Sequence, residues 1–431
     1  MNATRPLNAT RFPDATTDRP SHGLRVAMAL YGDVTYDSRV MREAETLCSA
    51  GHAVTIYCLA GSPSVGAPFG VVARAPKGPS VLPDGSSPFL RTSKASVAAR
   101  LAARVRWILG YARTLRAWGR WAVGAAGNVD VWHAHDLTGL MAVGPLVRSP
   151  CRLVYDSHEI FLETGTGVRL PQLLRRVLSA YEGHLARRAF ALVTVNEGYA
   201  GVLRSRLRPR RTIIVRNCPP RWTPSVKLAS RLRDATGVPV SRPLILYHGL
   251  FTSTRGIEEL AEAMLVPGLE LAHLALLGFG SIRPELERLA HDPRFQGRLH
   301  VLDAVPPGEL LEWVAGADMD VIPLQHSTLN HWLCTPNKLW ESLTVGVPVV
   351  VSDFPVMREI VLDDPAGPLG GVCDPARPES IATAIRTIVE LPSDERVALR
   401  ARCLRAAHAR WNWESESSRL VDLYTEILAQ A

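Results

Sequence analysis

Lysine is almost missing from this chain: there are four, against 45 arginines, in 431 residues. A lysine that falls at a candidate site is therefore less expected to be generic surface. The seven cysteines are scattered at 48, 58, 151, 218, 334, 373 and 403, with no Cys-x-x-Cys pair. That odd, dispersed set excludes zinc ribbons and a disulfide framework and fits a reducing cytoplasm. No stretch of about 18 uninterrupted apolar residues exists, which excludes a spanning helix. No Gly-x-Ser-x-Gly elbow, P-loop or HExxH occurs, so nucleophilic hydrolase, P-loop NTPase and zinc-protease readings have no anchor. An aromatic-basic stacking motif is also lacking, and nucleic acid is not an expected partner. The N-terminus has no apolar core of the signal-peptide kind. It repeats Asn-Ala-Thr-Arg, and residues 1–23 read as a disordered leader.

What is present is ordinary in bulk and uneven in detail. Apolar residues make up 47% and charged residues 21%, as in globular proteins, and the length suggests two or three domains. Residues 1–220 carry 29 basic and 14 acidic side chains, a net +15; the remainder carries 20 and 27, a net −7. The basic half should face something anionic, and two domains with different partners are expected.

Short apolar runs alternate with helical spacing. LRVAMALYG from Leu24, a helix from Asp37 to Ala50 ended by Gly51-His52, and AVTIYCLA form a β–α–β unit. Further strand-like runs are VDVWHAH (129–135), RLVYDSH (152–158), FALVTVN (190–196) and TIIVRN (212–217). After a polar connection the pattern resumes with PLILYHG (243–249), LAHLALLGFG (271–280), RLHVLDA (298–304), MDVIPL (319–324) and VPVVVSD (347–353). The expected class is α/β, with two Rossmann-like doubly wound parallel sheets in tandem. The expected boundaries are 24–217 for the N-terminal domain, 218–243 for a linker, 244–405 for the C-terminal domain and 406–431 for a final helix.

Ligands sit beyond the carboxyl ends of strands in such sheets, which singles out a few residues. Thr335 and Pro336 read as a helix start, with Asn337, Lys338 and Glu341 in its first two turns. A helix N-terminus attracts phosphate, Lys338 adds a point charge, and Glu341 suits ribose hydroxyls. The competing reading is an intrahelical Lys–Glu surface pair, at even weight. Arg255, before Gly256, has the fork to grip a pyrophosphate, though alone it reads better as a surface arginine. Gly278 and Gly280 form a Gly-x-Gly turn without the third glycine of a dinucleotide fingerprint. HAHD (133–136) and DSHE (156–159) place two His/acid clusters on neighbouring strand ends, suited to holding a hydroxyl. No further His/Cys spacing supports zinc, and no metal is expected.

The ordered series YDSRVMREAETLCSAGHAVTIY, HAHD, YDSHE, VNEG, VRNCPP, HG…RG, LGFG and PNKLWESLTVGVPVVVSD resembles family 4 of the glycosyltransferases over about residues 24–430. These are retaining enzymes of the GT-B fold, and Pro336-Asn337-Lys338-Leu339 followed by Glu341 is the most specific element. The resemblance implies a nucleotide-diphosphate-sugar donor in the C-terminal domain: Glu341 at the ribose, Arg255 and Lys338 at the diphosphate, Asn337 and Gly249 beside them, and Gly280 near the base. It implies an acceptor, a glycan or lipid-linked hydroxyl, held by Asp37, Arg39, His135, Asp136 and Glu159 of the N-terminal domain across a cleft. It also implies a last helix that crosses back to that domain. His135, Arg255 and Lys338 would carry the chemistry, with retention at the anomeric carbon and no metal or other cofactor. Two departures stand out. The family's Glu-x7-Glu pair would need Glu where Leu333 stands, and Leu250 occupies the neighbourhood of a frequent arginine. The rival readings are a nucleotide-sugar epimerase, an inverting transferase on the same fold, and a non-catalytic GT-B-like subunit.

Residues 93–127 carry Lys94, Arg100, Arg104, Arg106, Arg113, Arg116 and Arg120 with no acid. Four of these arginines fall in a sector of about 80° on a helix, beside an apolar face. An anionic membrane surface is an expected partner, and the inner face of the plasma membrane an expected place. A helix packed on the sheet with solvated arginines has equal weight. Arg169, Arg175, Arg176, Arg187 and Arg188 form a second basic cluster.

Overall fold

A computed structural model describes residues 23–63, 65–79, 97–223 and 231–430. The leader apart from Gly23, part of the expected linker, and Lys94 with the start of the basic segment lie outside the described residues, as do the side chains of Arg100 and Arg104.

The apolar runs become two parallel sheets. The first contains β1 (Arg25–Ala29), β2 (Ala53–Cys58), β3 (Gly70–Ala73), β4 (Val131–His135), β5 (Arg152–Ser157), β6 (Ala191–Thr194) and β7 (Thr212–Ile214), in the order β3-β2-β1-β4-β5-β6-β7. The second contains β8 (Leu244–Leu250), β9 (His273–Phe279), β10 (Leu299–Asp303), β11 (Met319–Ile322), β12 (Val349–Ser352) and β13 (Gly370–Cys373), in the order β10-β9-β8-β11-β12-β13. Each order reverses once, between β1 and β4 and between β8 and β11. Those are the switch points beyond which α/β ligands bind. β3 and β13, both at sheet edges, are strands the sequence pattern does not reveal. Their four residues are short, half-exposed and begin with glycine.

Continuous apolar strands follow from burial on both faces. In β9, Leu274 and Leu276 join one core while Ala275 and Leu277 join another on the opposite face. Ile245 and Tyr247 of β8 divide from Leu244 and Leu246 in the same way. The helix Ser38–Ser49 starts where Asp37 caps the Val40 N–H and buries the stripe Val40, Ala44 and Leu47. Contacts along the chain divide it into two compact units. One runs to Asp156 and adds Arg188–Phe190 and the residues from Leu423 on; the other is Ser157–Arg187 with Ala191–Asp422. The helix Trp413–Ala429 starts in the second and ends in the first.

The basic segment is a helix, Val97–Ala126. Tyr111, Leu115, Trp118 and Ala122 are buried at helical spacing, whereas Arg106, Arg113, Arg116 and Arg120 are exposed. Its backbone comes so near the helix Asp136–Val143 that a Cβ on Gly119 would lie 2.0 Å from the Ala142 carbonyl oxygen. No helix of the described residues is long and apolar enough to cross a membrane.

Candidate active site

Most of the predicted site residues fall in two groups, one after β4 of the first sheet and one around the ends of β8 and β11 of the second. At the first, β4 delivers His135, and Asp136 opens the next helix with a left-handed φ of 55°. An aspartate held there is strained, and such positions concentrate where a side chain must be presented. His135 is fully buried, stacks on His133 with centroids 4.7 Å apart, and places Nδ1 3.6 Å from Asp156 Oδ2. Arg39 does not present its charge outward. It is buried and gives Nε and Nη2 to the two Asp156 oxygens at 3.0 and 3.1 Å, and Nη2 also meets Glu43 Oε1 at 3.0 Å. Burial alone would lower its pKa; Asp156 and Glu43 more than offset that and raise it. Tyr424 closes the network, with its hydroxyl 2.9 Å from His133 Nδ1. Burial foremost, then Glu43 and Asp156, hold that hydroxyl well above the ordinary tyrosine value. Glu43, His133, His135 and Asp156 have the donor atoms and mutual spacing of a metal cage. Arg39 already spans both carboxylates, so the charge a cation would supply is in place. Asp37 is occupied as the helix cap described above.

The second group surrounds the ends of β8 and β11. The helix Asn337–Thr344 begins at Pro336 with no side-chain cap. Thr335 is not the cap its residue type suggests: its hydroxyl accepts from Asn196 Nδ2 at 3.2 Å, and the same amide also donates to the Leu333 carbonyl at 3.0 Å. Position 333 thus contributes its backbone where the family pattern would place a carboxylate. The Leu339 N–H turns back to the Pro336 carbonyl at 3.0 Å, and no side chain caps the first turn. Asn337 accepts from Asn217 Nδ2 at 2.9 Å. Lys338 and Glu341 do not pair along the helix surface. Lys338 Nζ sits 3.5 Å above the centre of the Tyr247 ring. Gly249 lies beside it at φ 113°, a backbone conformation that favours glycine. Burial first, and neighbouring Arg255 after it, lower the Lys338 amine to about 7 despite Asp320 and Glu341. Arg255 Nε is buried without a hydrogen-bond partner. Among the described residues neither cation forms an ion pair. Glu159, exposed on the loop after β5, adds its charge to the field at Cys334 and Tyr199 that Arg255 also reaches.

Gly278 and Gly280 have a simpler reason than a bound base. A Cβ on Gly278 would meet the Gly249 carbonyl oxygen at 1.9 Å, and one on Gly280 the Phe251 carbonyl oxygen at 2.1 Å. The chain after β8 packs that closely on the end of β9.

Residue-type reasoning missed His248, Asp320 and Ser342. His248 Nε2 lies 2.9 Å from Glu341 Oε2, and its Nδ1 3.3 Å from Asp320 Oδ2. Ser342 Oγ donates to the same Asp320 oxygen at 2.7 Å. One signal was legible: a carboxylate at position 320, inside an apolar strand, requires a buried partner.

Family comparisons give this geometry a context. The model described as "Glycosyl transferases group 1" matches residues 242–390, and the "Glycosyl transferase 4-like domain" matches residues 36–218. The chain belongs to the group 1 glycosyl transferases. Within that family it is 31% identical over 200 residues to a D-inositol 3-phosphate glycosyltransferase of Xylanimonas cellulosilytica, 45% of each chain. It is 32% identical over 167 residues to a GDP-mannose-dependent alpha-(1-6)-phosphatidylinositol dimannoside mannosyltransferase of Mycobacterium tuberculosis, 39% of each. The chain thus spans about half the length of the curated relatives it matches. Among solved structures, sucrose-phosphate synthase from Thermosynechococcus elongatus superposes with a TM-score of 0.69 at 16% identity, over 94% of this chain and 100% of that one. Anabaena HepE in complex with UDP gives 0.67 at 13%, with 94% and 100% covered. At these identities the likeness establishes the GT-B fold.

Proposed function

We propose that this group 1 family member is a glycosyltransferase that moves a sugar from a nucleotide diphosphate sugar to an acceptor hydroxyl, with retention at the anomeric carbon. One observation carries the donor half of this reading. Lys338, in the first turn of the uncapped helix Asn337–Thr344, and Arg255, whose charge reaches it, form no ion pair with a carboxylate among the described residues. Two such cations repel one another, and the longer-range pull of Asp320 and Glu341 on Lys338 does not offset its burial; a diphosphate supplies direct counter-charge in a form both can bind. As the glycosidic bond breaks, negative charge grows on the leaving diphosphate. Donors already aimed at it stabilise that state without reorganising, and no resident metal is needed for that role. Glu341 then takes the ribose hydroxyls.

On the acceptor side we assign His135 and Asp136 to the incoming hydroxyl, with Arg39 holding Asp156 beside His135, and we keep Glu159 as an acceptor-binding candidate. A glycan or lipid-linked acceptor fits the names of the relatives, two of which act on inositol-containing molecules. It also fits the helix Val97–Ala126, where Val105 and Leu109 are exposed beside Arg106 and Arg113. Such a face suits peripheral attachment to anionic lipid on the cytoplasmic side. The direct test is donor hydrolysis and transfer across UDP-, GDP-, ADP- and dTDP-sugars, with product configuration read by NMR. No turnover of any of these would refute the assignment, and an inverted product would refute retention.

A further inference from the structure

Glu341 is gripped from behind. His248 is 2% exposed at the end of β8, and its two ring nitrogens face two carboxylates, Glu341 at 2.9 Å and Asp320 at 3.3 Å. Asp320 is fully buried within β11 and is fixed in turn by the Ser342 hydroxyl at 2.7 Å. Asp320 Oδ1 has no hydrogen-bond partner, and His248 Nδ1 faces Oδ2 as a charge contact and not a hydrogen bond, so the buried carboxylate leans on the Ser342 hydroxyl and on the charges of His248 and Lys338. Burial alone would lower the imidazole's pKa. The two carboxylates reverse that and lift it to about 9, so both ring nitrogens carry protons at neutral pH. Nε2 then donates to Glu341 while the charged ring stays held toward Asp320 by the 3.3 Å contact at Nδ1. Glu341 therefore has Oε2 occupied, while Oε1 makes no hydrogen bond among the described residues. The carboxylate is oriented and charged with one oxygen left over.

We propose that His248, braced by Asp320 and Ser342, is a positioning residue that locks Glu341 for a ribose diol and so makes the site select ribonucleotides over 2′-deoxyribonucleotides. The inference rests on the donor reading above. A freely rotating glutamate could shift to a lone 3′-hydroxyl with little loss. One held at 2.9 Å from behind keeps its free oxygen where two vicinal hydroxyls place theirs. A deoxyribose then leaves an ionised acceptor desolvated and short of a donor, which is where polar sites discriminate most.

The test measures dissociation constants for UDP, GDP and ADP, each against its 2′-deoxy form, by calorimetry. For whichever base binds tightest, the ribo form should bind about 10- to 100-fold more tightly, as expected for a hydrogen bond to a charged group. In His248→Phe that ratio should fall below about threefold, while inorganic pyrophosphate, which has no ribose, binds as before. In His248→Gln, which keeps one amide donor but no charge, the ratio should fall by about threefold or more. A folded His248→Phe with the wild-type ratio overturns the proposal. If that variant does not fold, an unchanged ratio in His248→Gln does so. Wild-type protein that binds nucleoside diphosphates without ribose preference overturns this inference alone. Failure to bind any of them overturns the donor reading as well.

Discussion

With Lys338 in its proposed place at the diphosphate, donor binding should depend on pH in a definite direction. Its amine titrates at about 7 in the unliganded protein, because burial and the nearby Arg255 disfavour its charge. A lysine depressed in the folded state holds fewer protons than the unfolded chain between 7 and its ordinary value. The unliganded protein therefore gains stability as pH rises through that window. A diphosphate reverses the preference. One phosphate charge about 4 Å away is worth about 4 kcal/mol at an effective dielectric of 20, and about half that for a partly exposed amine. Two kilocalories lift the amine by about 1.5 pH units, to about 8.5. Affinity should then be full below pH 7 and fall about tenfold between pH 6.5 and 8.5, roughly 1.4 kcal/mol. Titration calorimetry of a nucleotide sugar checks this, because the diester phosphates stay ionised across the range and their own protons do not interfere. Near pH 7.8 binding should take up most of one proton, seen as an enthalpy that changes with the buffer. Lys338→Arg, which stays charged throughout, should flatten the profile. A flat profile in the wild type, or an equal slope in Lys338→Arg, would refute the reasoning.

Three further outcomes follow. Lys338→Ala should keep the fold and cut transfer at least tenfold, about 1.4 kcal/mol of barrier; a folded variant with wild-type turnover sinks the assignment. Tyr424→Phe removes the hydroxyl 2.9 Å from His133 and should cost about 1–3 kcal/mol in urea unfolding; an unchanged midpoint and slope would mean that the hydroxyl does not support the buried network. Reversing Arg113, Arg116 and Arg120 to glutamate should abolish flotation with anionic liposomes, at about 1 kcal/mol per arginine near the surface. No binding of the wild type at low salt would remove the membrane reading.

The strands were legible because burial on both faces leaves an unbroken apolar run, as in VVVS of β12. β3 and β13 escaped because an edge strand needs neither length nor two apolar faces. Lys338 and Glu341 were legible as residue types at a helix start, but not the partners that set their chemistry. Tyr247, His248 and Asp320 arrive from other strands, and side-chain direction there depends on sheet order. Arg39 shows the opposite limit. A charged residue near a strand end reads as available to ligand, yet its partner Asp156 lies 117 positions away and draws it inward. The gap at Leu333 reads differently once the carbonyl there is seen held by Asn196.

The bare start of the helix Asn337–Thr344 has a consequence beyond ligand contact. A helix whose first N–H groups have no side-chain cap forgoes about 1 kcal/mol that serine or aspartate would contribute. The burial that depresses the Lys338 amine adds to the same deficit. An anion that arrives there repairs a weakness of the folded state, so occupancy is convertible into melting temperature. At a hundred times its dissociation constant a donor raises unfolding free energy by about 2.7 kcal/mol. A thermal-shift screen of nucleotide sugars can therefore rank donors before any acceptor is known.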